Sequence, residues 1–184
     1  MPPHRIKRFM KRFFVNVLGI GIDAEVLRLR HVFRRLSGLP QYLAALAVAL
    51  ARYRPIAIEI EAEDGQLTST RTMLTAASVG PSAGGGFLLS PDADPCDGLL
   101  DLLVVDRLNP FQVVRYLPRV VRGSHADLAV VTMRRFRRLF IRTQLSESFH
   151  FELDGELNPE PVTELEVEVM PATLRVLRAG EDRR

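Results

Sequence analysis

Polar and apolar residues alternate along several short segments of the chain, which is the pattern of a β-strand with one buried face. The clearest case is residues 164–170, where Leu165, Val167 and Val169 alternate with glutamates. Residues 56–62 alternate in the same way. Two Asp-Gly pairs border such runs and predict hairpin turns, because aspartate and glycine accept the backbone angles of a tight turn. Further strands are predicted at residues 13–19, 67–79, 86–89, 99–105, 139–143, 149–153 and 173–177.

Two segments carry helix signals instead. Ser37 is a favourable cap for an apolar stretch over about residues 40–54. Asn109 precedes a proline at the first helical position, which predicts a second helix over about residues 111–122. Pro118 is expected to break or kink that helix, because proline lacks the backbone N–H that the helix needs.

The predicted strands far outnumber the helices and are separated by turn signals. This balance predicts a mainly β (α+β) fold, an antiparallel β-sandwich with about two helices. The chain has 184 residues, of which 47% are hydrophobic, so it can bury a sizeable core. Since no repeat, linker or break in composition divides it, we expect a single domain over residues 1–184.

Cysteine usage and hydropathy indicate the compartment. Cys96 is the single cysteine, which excludes a disulfide framework and favours a reducing cytoplasm. The apolar stretch 13–22 follows basic residues but lacks the small-residue cleavage site of a secretory signal. The apolar stretch 39–51 is shorter than the about 20 residues that a transmembrane helix needs. We therefore expect a cytoplasmic protein in which no segment crosses a membrane.

A glycine-rich and aspartate-rich segment is the most informative stretch for ligand binding. Consecutive glycines let the backbone approach a ligand such as a cofactor. Aspartates offer hard oxygen ligands for Mg²⁺, although an acidic solvated turn between two strands has the same composition. The glycines are Gly84, Gly85 and Gly86, and the aspartates are Asp92, Asp94 and Asp97.

A second acidic turn places Asp154 and Glu156 two residues apart. A carboxylate on a rigid turn can act as a general base or join a metal network. An ordinary hairpin turn explains the same residues, so the local pattern leaves both interpretations open.

The glycines at Gly19 and Gly21 superficially match a dinucleotide-binding pattern after a strand. A true fingerprint continues into a helix and has an acidic residue about 20 positions further on. Leu39, Pro40 and Gln41 occupy that region here. We therefore interpret the glycines as sites of close backbone packing at a strand end.

Basic residues form three clusters along the chain. Such clusters suit anionic lipid headgroups or nucleic acid, and solvated surface is the alternative. The clusters are residues 5–12, then Arg28, Arg30, Arg34 and Arg35, and finally Arg134, Arg135, Arg137 and Arg138.

Several motifs occur together in the order and spacing of one family. The first resembles the pattern F-x-N-x-x-x-x-G-x-D-A-x-V, and a later block resembles a glycine-rich stretch followed by P-x-A-x-x-x-D-G-x-L-D. The matching segments are residues 14–26, 84–86, 91–101, 123–125 and 154–156. From about residue 13 to 177 the chain thus resembles the C-terminal domain of the bacterial diacylglycerol kinase and lipid kinase family. That family is related to sphingosine kinases and more distantly to NAD kinases.

The resemblance implies transfer of the γ-phosphate of ATP to a lipid hydroxyl. Glu156 and Asp154 would be the catalytic carboxylates, one of which accepts the hydroxyl proton. The Asp97 side chain, with main-chain oxygens near Asp94 and Leu99, would hold a Mg²⁺ ion. Phosphoryl transfer needs a base, a metal and a phosphate clamp, and this chain supplies the first two.

The family's N-terminal domain carries a Gly-Gly-Asp-Gly-Thr nucleotide motif, and that motif does not occur in this sequence. We therefore expect the ATP-binding domain to be absent from the chain, which would be inactive without it. Val79 is a smaller departure, because the family usually has an asparagine there.

The resemblance also implies two partners, a lipid alcohol such as diacylglycerol and the nucleotide-binding domain. The arginine clusters predict peripheral contact with an anionic membrane surface, and the sequence leaves open whether a second copy of the chain binds. The alternative is a non-catalytic module that binds anionic lipid or nucleic acid through arginine-rich faces. The lipid-kinase motifs make nucleic acid the less favoured of these partners.

Overall fold

The computed structural model describes residues 10–84, 86–144 and 147–176. Within them the chain forms nine strands, three α-helices and one 3-10 turn. The strands are β1 Val17–Gly21, β2 Ile56–Ala62, β3 Leu67–Ser78, β4 Leu100–Asp106, β5 Val131–Phe136, β6 Arg138–Thr143, β7 Phe151–Leu153, β8 Glu156–Leu157 and β9 Glu164–Glu168. The helices are α1 Ile22–Arg30, α2 Gly38–Arg52 and α3 Pro110–Val121, and the 3-10 turn is His31–Phe33.

The long strand β3 organises the sheet. One of its edges pairs with β4, and the other pairs first with β2 and then with β1. Beyond β4 lies β5, beyond β2 lie β6 and β9, and beyond β1 lie β7 and β8. Every one of these pairings is antiparallel, as the sequence predicted.

Apolar side chains from most of the strands meet in the main core, because the sheet curls so that strands far apart in the pairing order pack together. Full burial of a large aliphatic or aromatic side chain contributes about 1.5–3 kcal/mol, so this cluster dominates the stability of the domain. The prediction of a mainly β antiparallel fold with added helices is confirmed. The core side chains include Leu18, Ile20, Ile58, Ile60, Leu102, Phe136, Ile141, Phe151 and Val167.

A layer of helices covers part of the sheet. Ile22 and Val26 of α1 pack with Ala45 and Ala49 of α2 against Met73 of β3. The α1 helix was not predicted, because the glycines before it were interpreted as the end of a strand. Its signal was nevertheless present, since Ile22, Val26 and Leu29 have the spacing of one helical face.

Other boundaries also differ from the sequence predictions. The first strand is β1 rather than residues 13–19, and β5 and β8 were not predicted. Residues 86–89 form no strand; an isolated bridge joins Ala83 to Phe87 instead. Residues 173–176 are not a strand either, and residue 177 lies outside the described part. The α3 helix continues through Pro118 rather than breaking there.

The hydropathy prediction can be compared with the helices directly. In the described part of the chain, no helix has both the length and the apolar character needed to cross a bilayer. Arg5, Lys7 and Arg8 of the first basic cluster lie outside the described residues.

Candidate functional site

The two predicted acidic turns lie at the same end of the sheet. The Asp154 N–H donates to the Val17 carbonyl at 2.9 Å, Val17 pairs with Ser78, and Ser78 pairs with Asp101. These residues therefore form one row across neighbouring strands. With about 4.8 Å between strands, roughly 14 Å separate Asp154 from Asp101 along that row. The segment of residues 79–99, with its glycines and aspartates, joins β3 to β4 at this same end.

The Asp154 carboxylate fixes the second acidic turn to the start of β1. Its two oxygens accept the backbone N–H groups of Val15, Asn16 and Val17 at 2.7, 2.8 and 2.9 Å. The turn also requires a left-handed backbone at Asp154, with φ 52°, which aspartate tolerates better than most residues. Glu156 follows on the exposed side of the turn and begins β8. The structure thus gives Asp154 an anchoring role beside its predicted catalytic role.

We expect Asp154→Ala to lower the free energy of unfolding by about 2–3 kcal/mol, because three N–H groups lose a charged acceptor and alanine disfavours positive φ. Asp154→Asn, which keeps one acceptor oxygen and tolerates the backbone angle, is expected to lose less. Urea denaturation of the three proteins measures the difference. Equal stability of Asp154→Ala and the wild type would show that the anchor is dispensable.

A buried glutamate and a partly buried aspartate lie directly behind this turn. Glu152 of β7 is 1% exposed, and its Oε2 accepts the Gly155 N–H at 2.6 Å. Its side chain also forms a hydrogen bond with Asp23 of α1. Gly19 makes room for both groups: a Cβ there would lie 2.6 Å from Glu152 Oε1 and 2.8 Å from Asp23 Oδ2. The close packing at Gly19 is therefore with carboxyl side chains and not with the neighbouring backbone that the sequence pattern predicted.

A hydrogen bond between two carboxyl groups requires one of them to be protonated, so this contact favours the retention of one proton by the pair. Burial and the neighbouring Asp23 raise the pKa of Glu152 to about 8. Burial also raises the pKa of Asp23, although its hydrogen bond with Glu152 opposes this shift. Glu152 thus connects α1 to the acidic turn.

Sequence reasoning missed this pair. In the predicted strand 149–153, His150 and Glu152 alternate with apolar residues, which predicts an exposed glutamate. Helix α1 contacts β7 and β8 and covers this face of the strand. Because that helix was not predicted, the burial of Glu152 beneath it was not predicted either.

Gly21 also explains why the glycine pattern after β1 has no room for a dinucleotide. A helix does follow this strand, contrary to the expectation, but a Cβ at Gly21 would lie 2.4 Å from the Met73 carbonyl oxygen. The glycine approaches β3 rather than a ligand. The strand also pairs antiparallel with both neighbours, whereas a dinucleotide fold needs a parallel sheet.

The glycine-rich segment is attached to β1 beside the acidic turn. Asn16 Nδ2 donates to the Ser82 carbonyl at 2.9 Å. Gly84 and Gly86 have φ 59° and 117°, and no heavy atom lies within 4 Å of a Cβ built at Gly86, so its backbone faces open space. Gly85 lies outside the described residues. A cofactor contact at these glycines remains a prediction.

Val79, where the family usually has asparagine, takes part in the core. Its side chain packs against the main apolar cluster, and its N–H donates to the Asn16 carbonyl at 2.7 Å. The apolar residue is therefore accommodated by packing at the edge of the candidate site.

The aspartates of the predicted metal loop stabilise local turns. Asp94 Oδ1 accepts the Cys96 N–H and Asp97 Oδ1 accepts the Leu99 N–H, each at 2.8 Å. In the described part of the chain, no group of three or more His, Cys, Asp or Glu side chains is placed to hold a metal ion. The predicted donor set has one carboxylate and two main-chain oxygens. It fits the chemistry of Mg²⁺, which keeps several waters, but the site remains a prediction.

An arginine that sequence reasoning did not assign to this site lies against the same loop. Arg135 of β5 bonds to Asp101 Oδ1 at 3.2 Å and to the Asp92 carbonyl at 2.7 Å. Burial raises the pKa of Asp101, and the ion pair with Arg135 partly opposes the shift. The cross-strand pairing of β4 with β5 brings the two residues opposite each other, which the sequence could not show without the register.

The fold and this end of the sheet define a curled antiparallel β domain with a fixed acidic turn beside a glycine-rich loop. A family model described as the YegS C-terminal NAD kinase beta sandwich-like domain matches residues 16–178. The chain belongs to this family. The resemblance to the C-terminal domain of diacylglycerol kinases and lipid kinases is therefore confirmed.

Relatives in sequence and structure agree with this assignment. The chain is 26% identical over 170 residues to a diacylglycerol kinase of Mycobacterium tuberculosis, covering 92% of this chain and 53% of that protein. It is 29% identical over 150 residues to a diacylglycerol kinase of Bacillus subtilis strain 168, and the match covers 79% of this chain and 47% of that protein. The chain thus spans about half the length of the curated relatives it matches.

A solved structure shares the fold. The crystal structure of a candidate diacylglycerol kinase from Bacillus anthracis str. Sterne superposes with a TM-score of 0.61 at 19% identity. The superposition covers 86% of this chain and 51% of that one.

Proposed function

We propose that this chain is the substrate- and metal-binding domain of an ATP-dependent lipid kinase that phosphorylates diacylglycerol or a related lipid alcohol. The observation that carries the proposal is the Asp154 anchor, which holds Glu156 on a rigid, exposed turn. The relatives named diacylglycerol kinase support the substrate class. Because those proteins are about twice as long, the ATP-binding domain belongs to the part of them that this chain does not match.

In the proposed reaction the Glu156 carboxylate accepts the proton of the lipid hydroxyl. The hydroxyl oxygen forms a bond to the γ-phosphorus of ATP, the bond from that phosphorus to the β–γ bridging oxygen breaks, and ADP leaves. Catalysis of this kind depends mainly on positioning and on neutralising charge. Asp154 and Glu152 hold the turn from two sides, so they set the position of the base.

Asp97, with the main-chain oxygens of Asp94 and Leu99, would hold the proposed Mg²⁺. When bound, such an ion neutralises negative charge near the loop and stabilises the contact with the ATP-binding domain. Gly84 and Gly86 leave the backbone open to an approaching phosphate or lipid headgroup.

Fusing this chain to the unmatched N-terminal portion of the M. tuberculosis relative tests the proposal. We expect no ADP formation by the chain alone and diacylglycerol-dependent ADP formation by the fusion, because the fusion supplies the phosphate clamp. The intact relative is the positive control. A fusion that folds and binds ATP but produces no phosphatidic acid would favour the non-catalytic binding module instead, and turnover by the chain alone would contradict the need for a second domain.

A further inference from the structure

Helix α3 presents an apolar stripe to solvent. Phe111, Val114 and Val121 are 75%, 68% and 49% exposed, and Pro118 is exposed between them. At 100° per residue, these four side chains fall within an arc of about 80°. The stripe is therefore one continuous face of the helix rather than scattered apolar residues.

Arginines border this stripe without acidic neighbours on the helix. Arg115 and Arg122 are exposed and lie at one edge of the stripe. Residues 107–122 contain four arginines and no aspartate or glutamate. Arg119 points further round the helix and pairs with Asp127, so the arginines at the edge of the stripe provide its uncompensated positive charge.

The opposite face of α3 contacts the domain. Half-buried Val113 packs against the cluster formed by α1 and α2. A capping box between Asn109 and Gln112 fixes the first turn. The exposed stripe therefore lies on the side of the helix that faces away from the domain.

We propose that this stripe is the surface with which the domain docks on an anionic lipid bilayer. An in-plane amphipathic helix buries apolar side chains at the headgroup boundary while its arginines contact anionic headgroups. The helix has 12 residues, so it is about 18 Å long and cannot span the about 30 Å of a hydrocarbon core.

Charge and area both disfavour a second copy of the chain as the occupant. A two-fold contact would place each stripe against the same stripe, bringing arginines together with no acid on the face to pair with them. The face measures on the order of 200 Å² per partner, against the about 800 Å² of a stable interface. An anionic bilayer needs no matching protein surface and complements the charge.

The position of α3 relates this surface to the candidate site, and this step rests on the proposed function. The Leu88 N–H donates to the Val120 carbonyl at 3.2 Å, and the buried His125, just after the helix, bonds to the Leu89 carbonyl at 3.1 Å. The C-terminal end of α3 is thereby joined to the glycine-rich segment. A membrane held at α3 would be next to the segment at which a lipid alcohol arrives.

Vesicle sedimentation of the full 184-residue chain tests the surface without nucleotide or turnover, so its result is independent of the kinase proposal. The vesicles are phosphatidylcholine alone or with about 30% phosphatidylglycerol. We expect the wild-type chain to bind the anionic vesicles. The double variant Phe111→Ser with Val114→Ser is expected to bind them about tenfold more weakly. The same loss is expected for the double variant Arg115→Gln with Arg122→Gln. Both variants change exposed side chains, and circular dichroism verifies their fold.

Matched controls are Leu67→Ser, which removes an exposed apolar side chain from β3, and Arg52→Gln with Arg54→Gln, which removes two exposed charges elsewhere. The proposal predicts little change for both. Equal losses in the controls, or unchanged binding of the α3 variants, would overturn it. Two further results would overturn it, because each would identify a different occupant of the surface. One is a dimer of the chain that only the Phe111→Ser with Val114→Ser variant dissociates. The other is a loss of vesicle binding when an ATP-binding domain is added.

Discussion

Replacing Glu156 by glutamine is expected to lower phosphoryl transfer to diacylglycerol by about 10²–10⁴-fold in the fusion with an ATP-binding domain, which is the range for loss of a general base. Glutamine has nearly the same shape but cannot accept the hydroxyl proton. The loss should fall on kcat rather than on KM for ATP, because Glu156 is assigned to the proton and not to the nucleotide. Initial rates of phosphatidic acid formation measure it.

The structure offers a matched control for this experiment. Glu160 is exposed in the same part of the chain, and its side chain has no assigned role. Glu160→Gln removes the same charge and is expected to leave the rate within about twofold. Unchanged stability of Glu156→Gln would show that the turn persists. If Glu156→Gln retained full activity with the turn intact, another group would have to accept the proton.

The buried Glu152–Asp23 pair is expected to give the largest pH effect on stability. The pKa of Glu152 is raised from 4.5 to about 8 in the folded protein, so the folded state holds a proton that the unfolded state releases between these values. Stability is therefore fully present below about pH 4.5 and falls as the pH rises towards about 8. The loss across this window is on the order of 3–5 kcal/mol.

Glu152→Gln isolates the contribution of the pair. The amide donates an N–H to Asp23 and still accepts the Gly155 N–H, but it does not titrate, so the decline in stability with pH should be much smaller. Denaturant unfolding at several pH values measures the slope. The exposed Glu156→Gln variant is expected to keep the wild-type slope. An unchanged slope in Glu152→Gln would mean that the pair does not hold the shared proton.

The strands that the sequence predicted best are those in which one face meets the core and the other meets water. In β2 and β9, apolar and acidic residues alternate because each strand has one covered face. β5 was missed because its outward positions include arginines whose partners lie on other strands, such as Arg135 opposite Asp101. Residues 86–89 were predicted as a strand from local apolar character, yet the structure gives them only an isolated bridge between Phe87 and Ala83.

Arginines of β6 pair with acids of the neighbouring strands. Arg138 of β6 pairs with Glu166 of β9, and Arg142 lies 2.8 Å from Glu59 Oε2 and 3.6 Å from Glu61 Oε2 of β2. These charges therefore compensate one another across the sheet. Arg134 likewise bonds to Gln66, so part of the last basic cluster is engaged within the domain.

The sequence by itself determined the strand-rich class, the helices α2 and α3 and the motifs that identify the family, because alternation, apolar stretches and motif spacing are local properties of the chain. The predicted cap at Asn109 is formed, whereas the Ser37 side chain makes no cap hydrogen bond. Only the tertiary structure decided which residues share the end of the sheet, since the register of β1, β3, β4 and β7 joins positions more than 130 residues apart, as in Val17 and Asp154. It also decided that Glu152 is buried and that burial raises the pKa of its carboxyl group. Burial of this carboxyl group depends on the helix that covers it, and the local sequence around Glu152 does not indicate that contact.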